Sequence, residues 1–353
     1  MSLDGVKMAD YHILSAYLEI ANDKYIQNEE SLVNDSLNLL HELIFEPKVV
    51  DGAFDETIFQ REKRQLKNII ESIVDDKMRY ANIRLIDEMF KGEKYSTRVH
   101  GYIEDLEKLT SKELFEYYQS ILENDEMELY ILGDFDEQSM RKTVENYFQR
   151  PQLIKKEVVR STSSLNGREP KEIVETQDIN QAKLHIGYRT NCTIHDEDYF
   201  ALQVFNGLFG ALPSSKLFIN VREKHSLAYY AASRIDSLLG LLIVYSGIDG
   251  NDYEKAKTII NDQLISLQQG DFTEENLKET KKQIVNNILE ALDNPDGIMG
   301  LLYQQQLAKV NYTTDELIDN LKNVTKEEII NVAKKIELDT VYLLTNKVGE
   351  SDE

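Results

Sequence analysis

Residues 54–63, FDETIFQREK, and residues 272–281, FTEENLKETK, open two stretches that follow the same pattern 218 positions apart. Further along, TSKELF at 110–115 is matched by TKEEII at 325–330, with an offset of 215. Ordinary amphipathic helices could imitate either block alone. Because both blocks recur in the same order with nearly equal offsets, the sequence predicts an internal duplication.

Hydrophobic periodicity assigns helices and strands to both copies. Residues 31–45 place their apolar side chains on one stripe, as an amphipathic helix does. The other predicted helices are 55–74, 79–90, one that begins near Thr110, 198–208 and 214–223, and the predicted strands are 11–20, 127–132, 172–176, 183–188, 228–235, 241–247 and 341–344. The predicted fold class is therefore α+β, with two homologous units that each pack an antiparallel-rich sheet on helices.

The composition changes between the two copies. Residues 149–170, QRPQLIKKEVVRSTSSLNGREP, hold two of the five prolines and have no apolar period, which is typical of a linker. We predict an N-terminal domain at 1–150, a linker at 151–170 and a C-terminal domain at 171–353. The first copy is shorter than the second ahead of its repeated block. We therefore expect a missing front segment, with Met1–Leu3 added at an internal start; the alternative is a natural domain that lost its first layer.

The most informative stretch of the second copy is 201–236, ALQVFNGLFGALPSSKLFINVREKHSLAYYAASRID. It holds a Gly-rich turn (NGLFG, 206–210), a helix start (SKLF, 215–218) and the segment REKHSLAY (222–229). This combination resembles the C-terminal half of insulinase/pitrilysin-type zinc peptidases and of mitochondrial processing peptidase subunits. Together with the duplicated units, the resemblance covers essentially the whole chain. The chain resembles a non-catalytic bacterial paralogue of these peptidases.

The resemblance implies a substrate-binding role for Arg222 and Tyr229. In that family an Arg and a Tyr at these positions face the chamber between the two halves and hold the substrate backbone. A guanidinium and a phenol can donate hydrogen bonds to peptide carbonyls without selecting side chains, so the residue types suit the role. The alternative is structural, with Arg222 paired to a local carboxylate and Tyr229 in the core.

The zinc motif of the active members is absent from this sequence. Those peptidases use an inverted His-x-x-Glu-His, with two His ligands, a Glu that activates water and a further Glu ligand downstream. No two histidines here are four residues apart; they are His12, His41, His100, His185, His195 and His225. We predict no catalytic residue, no metal ligand and no cofactor bound by this chain. The family's zinc is expected in an active partner or in the missing segment.

Two weaker candidates remain. Glu71 lies on the helix that carries the downstream Glu ligand in active relatives, but its spacing to Asp75 and Asp76 differs from the family's by one or two residues; the alternative is a solvated carboxylate. Cys192 near His195 could suggest a thiol nucleophile, but nothing in the sequence orients the pair. The sequence holds no nucleophile elbow, no phosphate-binding loop and no cysteine pair for a metal.

Composition excludes several other classes of function. The 353 residues are 41% hydrophobic and 29% charged, as in a globular protein, and the net charge is −23. Such a polyanion is repelled by phosphate backbones and anionic lipid, so we expect neither a nucleic-acid nor a membrane partner. The only cysteine is Cys192, so no intrachain disulfide can form. There is no signal-peptide pattern or long apolar run, and a cytoplasmic location is predicted.

Three hypotheses about function stay open. The first is a subunit of a zinc-dependent peptidase-like assembly that supplies half of the chamber and the substrate-binding side chains. It implies a peptide substrate and a zinc-bearing homologous subunit, in a homodimer or heterodimer. The second is a truncated but otherwise active zinc metallopeptidase, and the third is a protein-interaction scaffold with no proteolytic role. A His-x-x-Glu-His upstream of this sequence would decide for the second.

Overall fold

The computed structural model describes residues 1–26, 31–149 and 169–346. The described strands are β1 (Ser2–Met8), β2 (Tyr11–Tyr17), β3 (Val49–Val50), β4 (Ala53–Phe54), β5 (Lys171–Thr176), β6 (Ala182–Arg189), β7 (Ala228–Asp236), β8 (Leu241–Ile248) and β9 (Glu337–Thr345). The described α-helices are α1 (Leu32–Phe45), α2 (Glu56–Ser72), α3 (Lys77–Met89), α4 (Ile103–Lys108), α5 (Ser111–Asn124), α6 (Glu137–Tyr147), α7 (Tyr199–Asn206), α8 (Tyr253–Gln268), α9 (Glu274–Leu292), α10 (Pro295–Ala308), α11 (Thr314–Asn323) and α12 (Lys326–Lys334). The predicted α+β class is confirmed.

The helices of the repeated blocks begin at side-chain caps in both copies. Asp55 caps α2 and Thr273, 218 residues later, caps α9; each accepts a hydrogen bond from the backbone three residues on. Thr110 and Thr325 open α5 and α12, and each forms a reciprocal capping box with the glutamate three residues later. The matched caps explain why the same sequence pattern starts a helix twice. A full superposition of the two copies stays a prediction.

The described residues divide into two compact units. The first comprises the described parts of Met1–Ile73 and Thr97–Arg160, and the second comprises Val74–Ser96 and the described part of Ser161–Glu353. The helix α3 therefore belongs by its packing to the second unit, although it follows α2 in the first sequence copy. The boundaries 1–150 and 171–353 stay predictions, and the predicted linker lies almost wholly outside the described residues.

The first unit contains β1 paired with β2 and β3 paired with β4, both antiparallel. The predicted strand at 127–132 is wrong, since these residues form no strand. A strand needs a neighbour to accept its ladder hydrogen bonds, and in the described part of the chain β1 and β2 pair only with each other.

The second unit is built on a five-stranded sheet with the order β5-β9-β6-β8-β7. All neighbours are antiparallel except β5 and β9, which are parallel. The predicted strands at 172–176, 183–188, 228–235 and 241–247 are confirmed. The hairpin that joins β7 to β8 turns at Gly240, where φ is +65°, a conformation that favours glycine. In this order β7 is an edge strand of the sheet.

Both faces of this sheet are covered. Alternate residues of β6, such as Leu184 and Ile186, join a core formed with α7, α8, α9, α11 and α12. On the opposite face, α3 packs through Ala81, Leu85 and Met89. We call this the α3 face of the sheet; its β6 residues are Lys183, His185, Gly187 and Arg189. Because both faces are buried, β9 has four consecutive apolar residues at 341–344, as double burial favours.

Gly187 permits the close approach of α3. A Cβ at Gly187 would lie 2.2 Å from Met89 Sδ, and Met89 is only 1% exposed. Two residues on, the buried Arg189 guanidinium donates to Asp339 Oδ2 at 2.7 Å and to the Met89 carbonyl at 3.1 Å, and it stacks on the Phe90 ring at 4.2 Å. The end of α3 is therefore fixed both by the close packing of Met89 on Gly187 and by the contacts of the Arg189 guanidinium.

This contact gives the first prediction. We expect Gly187→Ala to lower the free energy of unfolding by about 1–3 kcal/mol, because the new methyl group overpacks a full site. Met89→Ala alone should cost about 2–5 kcal/mol through a cavity. In the double variant the methyl group fills part of that cavity, so the loss should be smaller than the sum of the two. Urea unfolding of the four proteins measures this, and strictly additive losses would contradict the contact.

The second prediction concerns pH. His185 on the α3 face is 1% exposed. Burial, followed by the charges of Arg234 and Lys183, lowers its pKa from 6.5 to about 3. Below pH 6.5 the unfolded chain takes up a proton that the folded chain does not, so this contribution to stability is present above pH 6.5 and is lost as the pH falls towards 3.

We expect the loss to approach about 1.4 kcal/mol per pH unit within that window. Many carboxylates titrate in the same range, so the comparison is with His185→Phe, which keeps a ring but cannot take up a proton. The difference in unfolding free energy between the two proteins should change as the pH falls from about 7 to about 4.5. A difference that stays constant with pH would contradict the assignment.

Candidate functional site

The motif region 206–229 is built around two π-helical segments. The helix α7 runs directly into the first, Gly207–Ala211, and the second is Phe218–Lys224. The helix predicted at 214–223 is thus present, but most of it is π-helical. Such π segments are rare and occur frequently at functional sites, because they displace side chains from regular helical positions.

The glycines of the first π segment are explained by close packing. A Cβ at Gly210 would lie 2.5 Å from Ser233 Oγ and 2.8 Å from Ser233 N on β7, and a Cβ at Gly207 would lie 2.7 Å from Thr280 on α9. Asn206 adds a buried hydrogen bond, because its Oδ1 accepts from Ser233 Oγ at 2.7 Å. The Gly-rich turn therefore fixes the π segment against β7, the strand that carries Tyr229.

The second π segment ends at a tight turn. The backbone N–H of Ser226 donates to the Arg222 carbonyl and that of Leu227 donates to the Val221 carbonyl, both at 3.1 Å. Ser226 has φ +51°, an uncommon conformation for a residue with a side chain. Val221 and Leu227 are buried on either side of the turn. The exposed residues between them are thereby displayed on a fixed support.

Arg222 points into solvent at the end of this segment. Its guanidinium lies 4.6 Å from the centre of the Phe218 ring, one turn back. Within the described residues it forms no ion pair with a carboxylate, so the pairing that a structural role would require is not found. The Phe218 ring orients the guanidinium without using its hydrogen-bond donors.

Tyr229 is displayed by a β-bulge. Ala228 pairs with Ile248 and Tyr230 pairs with Gly247, so Tyr229 is the extra residue on β7. Its side chain is 76% exposed and lies outside the core, and its hydroxyl has no hydrogen bond within the described parts of the chain. Bulges of this kind redirect a side chain and are common next to binding sites. Whether Arg222 and Tyr229 face the first unit stays a prediction.

The remaining candidates are not brought together. Glu71 is an exposed carboxylate near the end of α2, 4.0 Å from Lys67 one turn earlier. Cys192 is buried, and burial raises the pKa of its thiol to about 12, so it is no thiolate nucleophile at neutral pH. Across residues 1–26, 31–149 and 169–346, no three His, Cys, Asp or Glu side chains are placed to hold a metal ion. The residues present do not fit the family's zinc site.

A profile of the peptidase M16 inactive domain matches residues 108–284, which include Arg222 and Tyr229. The chain belongs to the peptidase M16 family. It is 43% identical over 351 residues to the probable inactive metalloprotease YmfF of Bacillus subtilis, covering 99% of this chain and 82% of that protein. The prediction of a non-catalytic member of the insulinase-type superfamily is confirmed.

Solved structures of related proteins have the same fold as this chain. A conserved protein from Enterococcus faecalis V583 superposes with a TM-score of 0.86 and 34% identity, over 94% of this chain and 78% of that one. A peptidase M16 inactive domain from Pseudomonas fluorescens gives a TM-score of 0.68 at 14% identity, over 90% and 76%, and shows the shared fold alone. Among the described helices none is long and apolar enough to cross a membrane. The cytoplasmic location stays a prediction.

Sequence reasoning missed two features near the site. The bulge at Tyr229 leaves no mark in the residue pattern, because AYYAA reads as an ordinary strand. The polar residues on the α3 face of β6, by contrast, have a signal in the sequence. In KLHIGYR, residues 183–189, polar and apolar residues alternate, which indicates a strand with two different faces.

The third prediction concerns metal. With no group of ligands in the described residues, we expect the purified chain to hold no stoichiometric zinc after dialysis against metal-free buffer. A structural or catalytic zinc site binds tightly enough to survive such dialysis. Elemental analysis is the measurement, and about one retained zinc per chain would contradict the prediction.

Proposed function

We propose that this M16 chain is a non-catalytic subunit that holds a peptide in an extended conformation at the edge of its five-stranded sheet. The observation that carries the proposal is the pair Arg222 and Tyr229. Both are hydrogen-bond donors, both are displayed on rigid supports, and neither has a polar side-chain partner within the described residues. Arg222 lies shortly before β7 and Tyr229 lies on it, and the outer edge of β7 pairs with no other described strand.

The edge of β7 suits a peptide backbone. An unpaired strand offers alternating N–H and C=O groups, and an extended peptide can add to it as a further strand. Main-chain hydrogen bonds then give affinity that does not depend on the peptide's sequence. Arg222 can donate two further hydrogen bonds and Tyr229 one, to carbonyl oxygens that the sheet does not use.

On this proposal, the hydrolytic step would be supplied by another subunit. Zinc peptidases activate water on the metal, and the described residues offer no such site. We therefore propose a homologous zinc-bearing subunit as the partner, with this chain supplying half of the enclosing chamber. The pure scaffold remains the competing function. It differs in predicting that peptides bind without any need for Arg222 and Tyr229.

The fourth prediction tests the pair. Arg222→Ala and Tyr229→Phe should each leave the free energy of unfolding within about 0.5 kcal/mol, because both side chains are exposed. Each lost hydrogen bond to a charged or carbonyl partner is worth roughly 1–3 kcal/mol, so Arg222→Ala should weaken peptide binding tenfold or more. Fluorescence anisotropy with a labelled, unstructured peptide measures the dissociation constant.

The matched control is Lys224→Ala, which removes a positive charge from the same π segment but no proposed contact. It should bind the peptide like the wild type. A double variant, Arg222→Ala with Tyr229→Phe, that keeps full affinity would rule the pair out and favour the scaffold. A collapse of the melting temperature in Arg222→Ala would instead indicate a structural role.

A further inference from the structure

The α3 face carries a group of hydrogen-bond donors across β6, β8 and β7. His185 pairs directly across from Tyr245, and Lys183 pairs across from Gly247. The ring of Tyr230 covers Gly247, where a Cβ would lie 2.5 Å from it, and Lys183 Nζ lies 5.6 Å from the centre of that ring. Arg234 follows Tyr230 on the same side of β7. We call Lys183, His185, Tyr230, Arg234 and Tyr245 the donor cluster.

The interior of the donor cluster holds polar atoms with no partner. Both imidazole nitrogens of His185 and the hydroxyl of Tyr230 are buried and make no hydrogen bond within the described residues. His185 is 1% exposed. A buried polar group left unsatisfied costs about 1–3 kcal/mol, and folded proteins generally supply such groups with a partner. Three such atoms within one cluster indicate an occupant that the protein alone does not provide.

The charges of the cluster give the sign of that occupant. Lys183 donates to the side-chain oxygen of Gln181, and Arg234 donates to Asn82 Oδ1 at 3.0 Å; both acceptors are neutral amides. Within the described parts of the chain, neither Lys183 nor Arg234 forms an ion pair. They lack a carboxylate partner although the sequence has 63 acidic residues and only 40 basic ones. Two carboxylates lie nearby, and both already accept hydrogen bonds from the backbone. Asp76 Oδ1 accepts from Met78 and Arg79 at the start of α3, and Asp236 Oδ1 accepts from Leu238 and Leu239 after β7.

We propose that the donor cluster is a binding site for a small oxyanion, a carboxylate or phosphate group, seated between α3 and the sheet. Such a group offers several acceptor lone pairs, and the buried donors of His185 and Tyr230 now have no acceptor within the described residues. Neutral His185 can supply one N–H, the two phenols can each supply an O–H, and Lys183 and Arg234 neutralise the charge. Arg234 is exposed, Tyr245 is half-buried and His185 is buried, so the donor cluster extends from the surface into the interior.

A cation would be unsuitable here. Two positive side chains flank the imidazole, and they are already part of the reason that its pKa is low. An oxyanion would reverse this effect, because a negative charge beside His185 favours the protonated form. Binding should therefore raise the pKa of His185, a change that a purely structural cluster would not show.

The test uses the full chain with sodium acetate, sodium phosphate and sodium chloride at equal ionic strength, at neutral pH for the melting curves and over a pH series for NMR. We expect a saturable rise in melting temperature with acetate or phosphate above that with chloride, and a rise in the pKa of His185 in an NMR titration. Acetate acting alone identifies a carboxylate ligand and phosphate acting alone a phosphate ligand; either supports the site. No saturable effect beyond chloride overturns it.

Variants give the second arm. Lys183→Gln and Arg234→Gln should each raise the apparent dissociation constant tenfold or more, since each removes a charge-assisted hydrogen bond. Lys255→Gln is the matched control, because it removes an exposed lysine of the same unit on α8. Equal affinity in all three variants overturns the proposal. Circular dichroism checks that each variant is folded, and Arg222→Ala should bind the anion normally, so this test is independent of the peptide-binding proposal.

Discussion

The contact between α3 and the five-stranded sheet is the constraint on which the second unit depends. Without α3, one face of β6, β8 and β9 would expose apolar residues to water. Gly187 leaves room for the Met89 side chain because it has no Cβ. Arg189 donates hydrogen bonds to Asp339 and to the carbonyl at the end of the helix. Since a buried guanidinium is costly unless it is fully paired, this geometry specifies one position for the helix rather than adding much net stability.

That constraint determines which part of the sheet is available for function. With α3 over one face and five helices over the other, the exposed backbone of the sheet is at its edges. The edge strand β7 is supported from behind by Gly210 and Asn206, which fix the first π segment against Ser233. A rigid edge loses little conformational entropy when a peptide adds to it, so the packing that stabilises the fold also preorganises the proposed site.

Local physics made much of this structure predictable. The helix starts at Asp55, Thr110, Thr273 and Thr325 follow from side chains that bond the next turn, and alternation revealed the strands of the second unit. The features that could not be predicted depend on contacts between residues far apart in the sequence. Residues 127–132 have the composition of a strand but lack a neighbour to pair with, and the packing of α3 on a sheet more than 80 residues away leaves no mark on its own periodicity. The display of Tyr229 depends on a register shift, which no residue pattern encodes.

The site can also be separated from the stability of the unit around it. Val221, Leu227 and Gly210 hold the turn and the strand, and the fold requires them. Arg222 and Tyr229 contribute little to that packing, because their tips lie in solvent. The second unit could fold equally well with other polar residues at these two positions. Folding therefore explains the shape of the turn but not the identity of its two exposed donors, and the peptide-binding role proposed above would account for that identity.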